Sequence, residues 1–171
     1  MSQQNTKTAD RTLGPRANLV TFLLALLGTL NFPMPAFSQT QTSVAQETPD
    51  FFRQMKDFAA IQNNLVEMAK TAAHKDSFAL TQAFYFTSHL NSTATEVWKL
   101  AMIYQRLRDQ RDVKEVALVF TSDCTRLKTN AKVAIEQVNQ RLATMTSGAV
   151  IAEATKARDA ALRLSDHPIC K

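Results

Sequence analysis

The sequence predicts an all-α protein, an up-down antiparallel bundle of about four helices whose last hairpin is tied by a disulfide. Residues 50–147 contain neither Gly nor Pro, whereas a β-rich chain of this length needs many turns built from those residues. Apolar side chains recur through that stretch at steps of three and four residues, which is the period of an amphipathic helix. The chain also has an even number of cysteines, Cys124 and Cys170, spaced so that an antiparallel hairpin would bring them together.

The N-terminal region has the three-part layout of a secretory signal peptide, predicted for residues 1–38. A polar segment precedes an apolar run over 17–30, and prolines and small residues follow it. The cut is expected after residue 38, and a second small-x-small site would place it as late as residue 45. The apolar run falls short of the roughly 20 residues that span a bilayer, so membrane contact is expected only through this peptide before cleavage. Residues 39–47 are then expected to be a flexible N-terminal segment, and 48–171 the bundle domain.

The charge of the exported part is close to balanced. The whole chain has 20 Lys and Arg against 15 Asp and Glu. Removal of the signal peptide takes away three basic residues and one acidic residue, which leaves 17 against 14 and a net charge of +3. A small net charge without a basic nucleic-acid-binding motif does not indicate a nucleic-acid partner.

Helix one is expected to begin at Thr48, a favoured N-cap residue, with Pro49 in the first helical position. It should end near His74 or Lys75, because cationic side chains suit a helix C-terminus. Helix two should begin near Asp76 or Ser77 and run to about Arg108. Its apolar face is broad, so helix two is expected to be the most buried.

The segment 91–93 is the weakest part of helix two. Thr93 and Glu96 match a capping box, so a break into two helices is the alternative to the expected continuous but bent helix. For helix three, Asp112 and Glu115 fit the same pattern and predict that Asp112 is the N-cap. Helix four is expected over 148–165, after Ser147 as N-cap and before a proline that stops it.

The disulfide prediction follows from helix geometry. From Cys124 to the turn near Met145 is about 21 residues, roughly 32 Å of helix. Helix four returns roughly 27 Å along the same line, and the five residues that follow cover the remainder. The closed loop of about 47 residues would stabilise the fold by roughly 4 kcal/mol in the chain-entropy picture. A bridge of this kind also favours an oxidising compartment.

No catalytic residue and no metal site is predicted. The chain has no nucleophile elbow, phosphate-binding loop or paired-histidine motif, and no cofactor is expected. Haem held between Met55 and His167 is the sharpest alternative, but methionine at helical spacing is usually core filling. His74 and His89 are explained by a helix end and by the edge of an apolar stripe.

Two surface features are candidates for binding. Phe52, Tyr85 and Phe86 fall off the main apolar stripes and would mark an interface if exposed, although Phe86 is also expected to complete a wide core. Basic side chains cluster around the expected connection between helices two and three. We interpret this cluster as part of a solvated turn, and contact with an anion or a phospholipid is the alternative. Its members are Arg106, Arg108, Arg111 and Lys114.

These observations favour an exported, non-enzymatic bundle that binds another protein, either a different chain or a second copy of itself. The alternative is a periplasmic bundle that carries haem, a metal or a lipid between its helices. The expected location is the bacterial periplasm or the medium beyond it.

Overall fold

A computed structural model describes residues 36–171, with side chains from residue 40. The predicted signal peptide lies almost wholly outside the described residues. The helices are α1 (Ala36–Thr71), α2 (His74–Tyr104), α3 (Gln110–Leu142) and α4 (Gly148–Ser165), followed by a short 3₁₀ helix, Pro168–Cys170. The connections between them are short, so successive helices run antiparallel. The predicted all-α bundle is therefore confirmed for the described part of the chain.

Helix α1 begins earlier than the sequence predicts. Pro49 lies inside the helix instead of at its start, and the segment 39–47, expected to be flexible, forms helical turns. Val44 is buried, and the Thr48 hydroxyl donates to its carbonyl oxygen at 2.6 Å. The Gln41 amide donates to the Tyr104 carbonyl oxygen at 2.9 Å. The bond within α1 and the contact with the end of α2 stabilise turns that the N-cap signal at Thr48 does not predict.

Helix α2 is continuous through the segment 91–93, so the alternative break does not occur. The hydroxyl of Thr93 donates to the His89 carbonyl at 3.0 Å, and that of Thr95 donates to the Asn91 carbonyl at 2.7 Å. Both threonines thus bond backward within the helix instead of capping a new one. The helix ends at Tyr104, about one turn before the predicted Arg108.

The N-cap of α3 is Asp109 and not the predicted Asp112. The Asp109 carboxylate accepts hydrogen bonds from the backbone N–H groups of Arg111 at 2.8 Å and Asp112 at 3.3 Å. The earlier start leaves Asp112 in the first turn, where a negative charge complements the helix dipole. Helix α4 has the predicted bounds, with Ser147 as N-cap residue.

The buried side chains form two clusters along the bundle. The disulfide-end cluster contains aromatic and aliphatic residues from every helix, including Phe51, Phe58, Tyr104, Phe120, Leu127, Leu164 and Ile169. The turn-end cluster lies toward the α3–α4 connection and has only aliphatic, Met and Ala side chains at its centre: Leu65, Ala79, Leu80, Ala83, Val138, Met145, Val150, Ala154 and Ala157.

The predicted disulfide between Cys124 and Cys170 is confirmed, with α-carbons 5.4 Å apart. Cys170 lies in the 3₁₀ helix beyond the end of α4. The Lys128 ammonium donates to the Cys170 carbonyl oxygen at 2.9 Å, so the C-terminal segment is tied to α3 by a second contact.

Candidate functional site

Cross-helix contacts define how α2 and α3 face each other. Arg126 of α3 pairs with Glu96 of α2, and the Asn130 amide donates to the Thr93 hydroxyl at 3.2 Å. The rings of Tyr104 and Phe120 stack nearer the connection, with centroids 6.1 Å apart. Each step along α2 is therefore matched by one step back along α3, as expected for neighbouring antiparallel helices.

This register brings exposed apolar residues together on the outer side of the pair. Ile103 follows Glu96 by seven residues and Val119 precedes Arg126 by seven, so each lies two helical turns from the ion pair on the same side of its helix. In the opposite direction, His89 and Val133 are also seven residues from Glu96 and Arg126. Both of these line one shallow depression of about 420 Å³ together with Phe86 and the ion pair.

Apolar exposure is concentrated on this surface. Nine large apolar side chains are exposed in the described residues, and helical spacing places five of them there, each about half exposed. Besides the three already named, these are Phe78 and Tyr85, which precede Glu96 by close to five and three whole turns. The other four lie on α1, on α3 and, in two cases, on α4. We call the surface the α2–α3 face and define it by these residues: Phe78, Tyr85, Phe86, His89, Glu96, Ile103, Val119, Arg126 and Val133.

The structure separates the three side chains that the sequence groups as an interface. Tyr85 is 58% exposed on the α2–α3 face and makes edge contacts with Phe86 and His89 at 5.8 and 5.7 Å between ring centroids. Phe52 lies elsewhere, stacked on Trp98 at 4.9 Å. Its ring is therefore partly covered within the bundle, and it does not extend the same surface.

The basic cluster occupies the α2–α3 connection and the first turns of α3. All four of its members are exposed, and the Arg111 guanidinium pairs with the Glu115 carboxylate at 3.2 Å. Acidic side chains alternate with these basic ones, as is typical of a solvated turn. Exposed ion pairs of this kind contribute little to the free energy of folding.

His167 is buried and bonded through both ring nitrogens. Its Nδ1 accepts from the Ile169 backbone N–H at 3.1 Å, so the proton resides on Nε2, which donates to the Asp50 carboxylate at 3.1 Å. The bond from His167 is the largest of the causes that lower the pKa of Asp50. Iron ligation by His167 would require one of these bonds to break, and Met55, the other candidate haem ligand, is buried in the disulfide-end cluster.

A second anchored carboxylate lies at the opposite end of the bundle. Asp76 accepts hydrogen bonds from the Thr146 backbone N–H at 2.7 Å, the Thr146 hydroxyl at 2.9 Å and the Ser147 backbone N–H at 3.0 Å. These bonds, that from the Thr146 N–H foremost, lower the pKa of Asp76. The carboxylate joins the start of α2 to the connection before α4.

Other cavities and groups of polar side chains lie outside the α2–α3 face. A groove of about 750 Å³ runs between α3 and α4 and mixes Lys128 and Lys132 with Glu136, Asp166 and the apolar Ile135 and Leu162. Within residues 36–171, no three His, Cys, Asp or Glu side chains are grouped so that they would bind a metal. None of the helices in this part of the chain has the length and apolar character needed to cross a membrane.

Comparisons with known proteins identify no relative of this chain. No family model matches the chain, and neither the curated proteins nor the solved structures include a significant match. The functional interpretation therefore depends on the surface and its chemistry.

Proposed function

We propose that this protein is an exported, non-enzymatic helical bundle that binds another protein through the α2–α3 face. The observation that carries the proposal is the concentration of exposed apolar side chains on that face, around one ion pair. Several exposed apolar side chains on one face of a helical protein are typical of an interaction site. The disulfide and the predicted signal peptide together support a location in the bacterial periplasm or outside the cell.

The composition of the face also fits protein binding better than ligand binding. Tyr85 and Arg126 belong to residue types that are enriched among energetically important interface residues. Both side chains are about half exposed and reach outward, where a flat partner surface would cover them. A small ligand, by contrast, is normally held in a concave pocket that buries most of its surface.

Site-specific photocrosslinking in cells that export the protein tests the proposal. A photoreactive amino acid at Tyr85 or Ile103 is expected to form an adduct with a protein, whereas the same group at Leu162 is not. Leu162 is a suitable control because it is 48% exposed, as Ile103 is, but belongs to α4. Equal adducts at the three positions, or none at all, would contradict the proposal.

An absorption scan and metal analysis of the purified exported protein provide an independent test. A Soret band or stoichiometric metal would support the ligand-carrying alternative instead. A spectrum with only the aromatic band is the result expected for a binding module.

A further inference from the structure

We propose that the occupant of the α2–α3 face is a second copy of this chain, docked so that α2 of each copy packs antiparallel against α3 of the other. The inference rests on the proposed function and names its partner. It is drawn from the arrangement of charge, apolar side chains and area on the face.

The ion pair makes the face self-complementary in one orientation. Glu96 and Arg126 lie side by side on neighbouring helices and are about half exposed. A two-fold axis parallel to the helices places Glu96 opposite Arg126 of the second copy and Arg126 opposite the Glu96 of that copy. An axis perpendicular to the helices would instead oppose like charges, which disfavours that arrangement. Arg126 also contacts Asp123, but only 16% of the Asp123 side chain is exposed, so Glu96 is the acidic group that faces outward.

The same axis matches the apolar residues on both sides of the ion pair. Ile103 meets Val119 of the second copy two turns toward the connection. Val133 meets Phe86 and His89 of the second copy two turns in the other direction. Each contact occurs twice, because a two-fold interface uses the same patch on both subunits.

The extent of the face agrees with a stable dimer. From Phe78 to Ile103 is 25 residues, or roughly 37 Å of helix, and two packed helices present a width of about 20 Å. The product of this length and width is about 750 Å² per copy. That area is close to the ~800 Å² of surface that each partner buries in a specific complex. A dissociation constant on the order of micromolar or tighter is therefore expected.

Sedimentation of the exported protein with its disulfide intact tests the dimer, and two substitutions distinguish the proposed contact from nonspecific hydrophobic association. Val119→Asp should raise the dissociation constant by about 100-fold, roughly tenfold for each of the two equivalent contacts. Leu162→Asp removes a similarly exposed apolar side chain from α4 and should leave the dissociation constant unchanged. Equal effects of the two substitutions would contradict the proposed face.

Charge reversal supplies a test that a purely structural role cannot mimic. Arg126→Glu gives a copy with two acidic groups at the ion-pair position, and Glu96→Arg gives a copy with two basic groups. Each variant should sediment as a monomer, while an equimolar mixture should form a heterodimer, since every acidic group then faces a basic one. Circular dichroism checks that both remain helical, as expected for an exposed ion pair. Failure of the mixture to associate would overturn the orientation.

The outcome also distinguishes this inference from the proposed function. A wild-type chain that remains monomeric, but that crosslinks from Tyr85 and Ile103 to a different protein, contradicts the dimer and supports the binding module. A monomeric chain without crosslinks from either position contradicts both.

Discussion

Helix α4 is held at both of its ends, but by different chemistry. One end is the disulfide end of the bundle, and the other is the turn end, where α3 connects to α4. At the disulfide end, the segment after α4 is joined to α3 by the Cys124–Cys170 bond and to α1 by the bond from His167 to Asp50. At the turn end, the carboxylate of Asp76 accepts three hydrogen bonds from the residues just before α4.

The two ends also differ in the side chains that fill the core beneath them. Phenylalanine and tyrosine fill the disulfide-end cluster, whereas small and aliphatic side chains fill the turn-end cluster. Helix α4 faces both clusters with a largely alanine surface, which buries little apolar area per residue. A helix of this kind gains stability from fastening at both ends. The comparison indicates that a redox change weakens the disulfide end alone, whereas an acidic solution weakens the turn end through Asp76 and the disulfide end through Asp50.

Removal of the disulfide is expected to have the largest effect. The double substitution Cys124→Ala with Cys170→Ala releases a loop with a sequence separation of 46 residues, so the free energy of unfolding should fall by about 4 kcal/mol. Urea denaturation measures the loss. Amide exchange should accelerate most in the 3₁₀ helix and the last turns of α4, while the second turn of α4, from the Ile151 N–H that donates to the Ser147 carbonyl at 3.0 Å, remains protected. Uniform acceleration along α4 would contradict the division into two ends.

Loss of the buried imidazole should rank next. His167→Ala removes the bond to Asp50, the edge contact with Phe51 at 5.1 Å between ring centroids and the acceptor for the Ile169 N–H. We expect a loss of about 2–3 kcal/mol with the disulfide intact, measured by urea denaturation. Because the His167 bond is the first cause of the lowered pKa of Asp50, that pKa should move up toward its ordinary value of 3.8. A pKa that does not move in an NMR titration would contradict the assigned bond.

Local signals and helix geometry are sufficient to predict most of the fold from the sequence. The bounds of α4 follow from Ser147 and the later proline, and the disulfide follows from the rise per residue along two antiparallel helices. The start of α1 does not follow, because Thr48 and Pro49 carry an N-terminal signal that contacts with the distant Tyr104 and Gln105 override. Asp109 and Asp112 are both good caps, and the choice between them depends on where α2 ends.

The candidate site is only partly visible in the sequence. Tyr85 and Phe86 stand out as aromatic residues beside the apolar stripe, whereas Ile103, Val119 and Val133 resemble ordinary edges of a core. Their seven-residue spacing from Glu96 and Arg126 is the signal that would have identified them. It has meaning only once the register of α2 against α3 is known, and that register depends on tertiary packing.

The contact of Asp76 is the least predictable feature, because its partners Thr146 and Ser147 lie about 70 residues away in the chain. It also leads to the smallest expected change in stability. Asp76→Asn keeps the shape of the side chain but leaves only one acceptor oxygen for the three donors. Unfolding by urea at neutral pH should therefore require less denaturant, by a smaller margin than for His167→Ala.

The pH dependence of stability identifies the role of this carboxylate at the turn end. Since folding lowers the pKa of Asp76 below its ordinary value of 3.8, its contribution is present above that pH and is lost as the pH falls through the folded pKa. The free energy of unfolding of Asp76→Asn should consequently decline less steeply below pH 3.8 than that of the wild-type chain. Asp50 retains part of the decline, because its pKa is lowered as well. Asp57→Asn, at an exposed position of α1, is the matched control and should follow the wild type. If the Asp76 variant also followed the wild type below pH 3.8, the turn end would not depend on this carboxylate, and of the two carboxylates only Asp50 at the disulfide end would respond to acid.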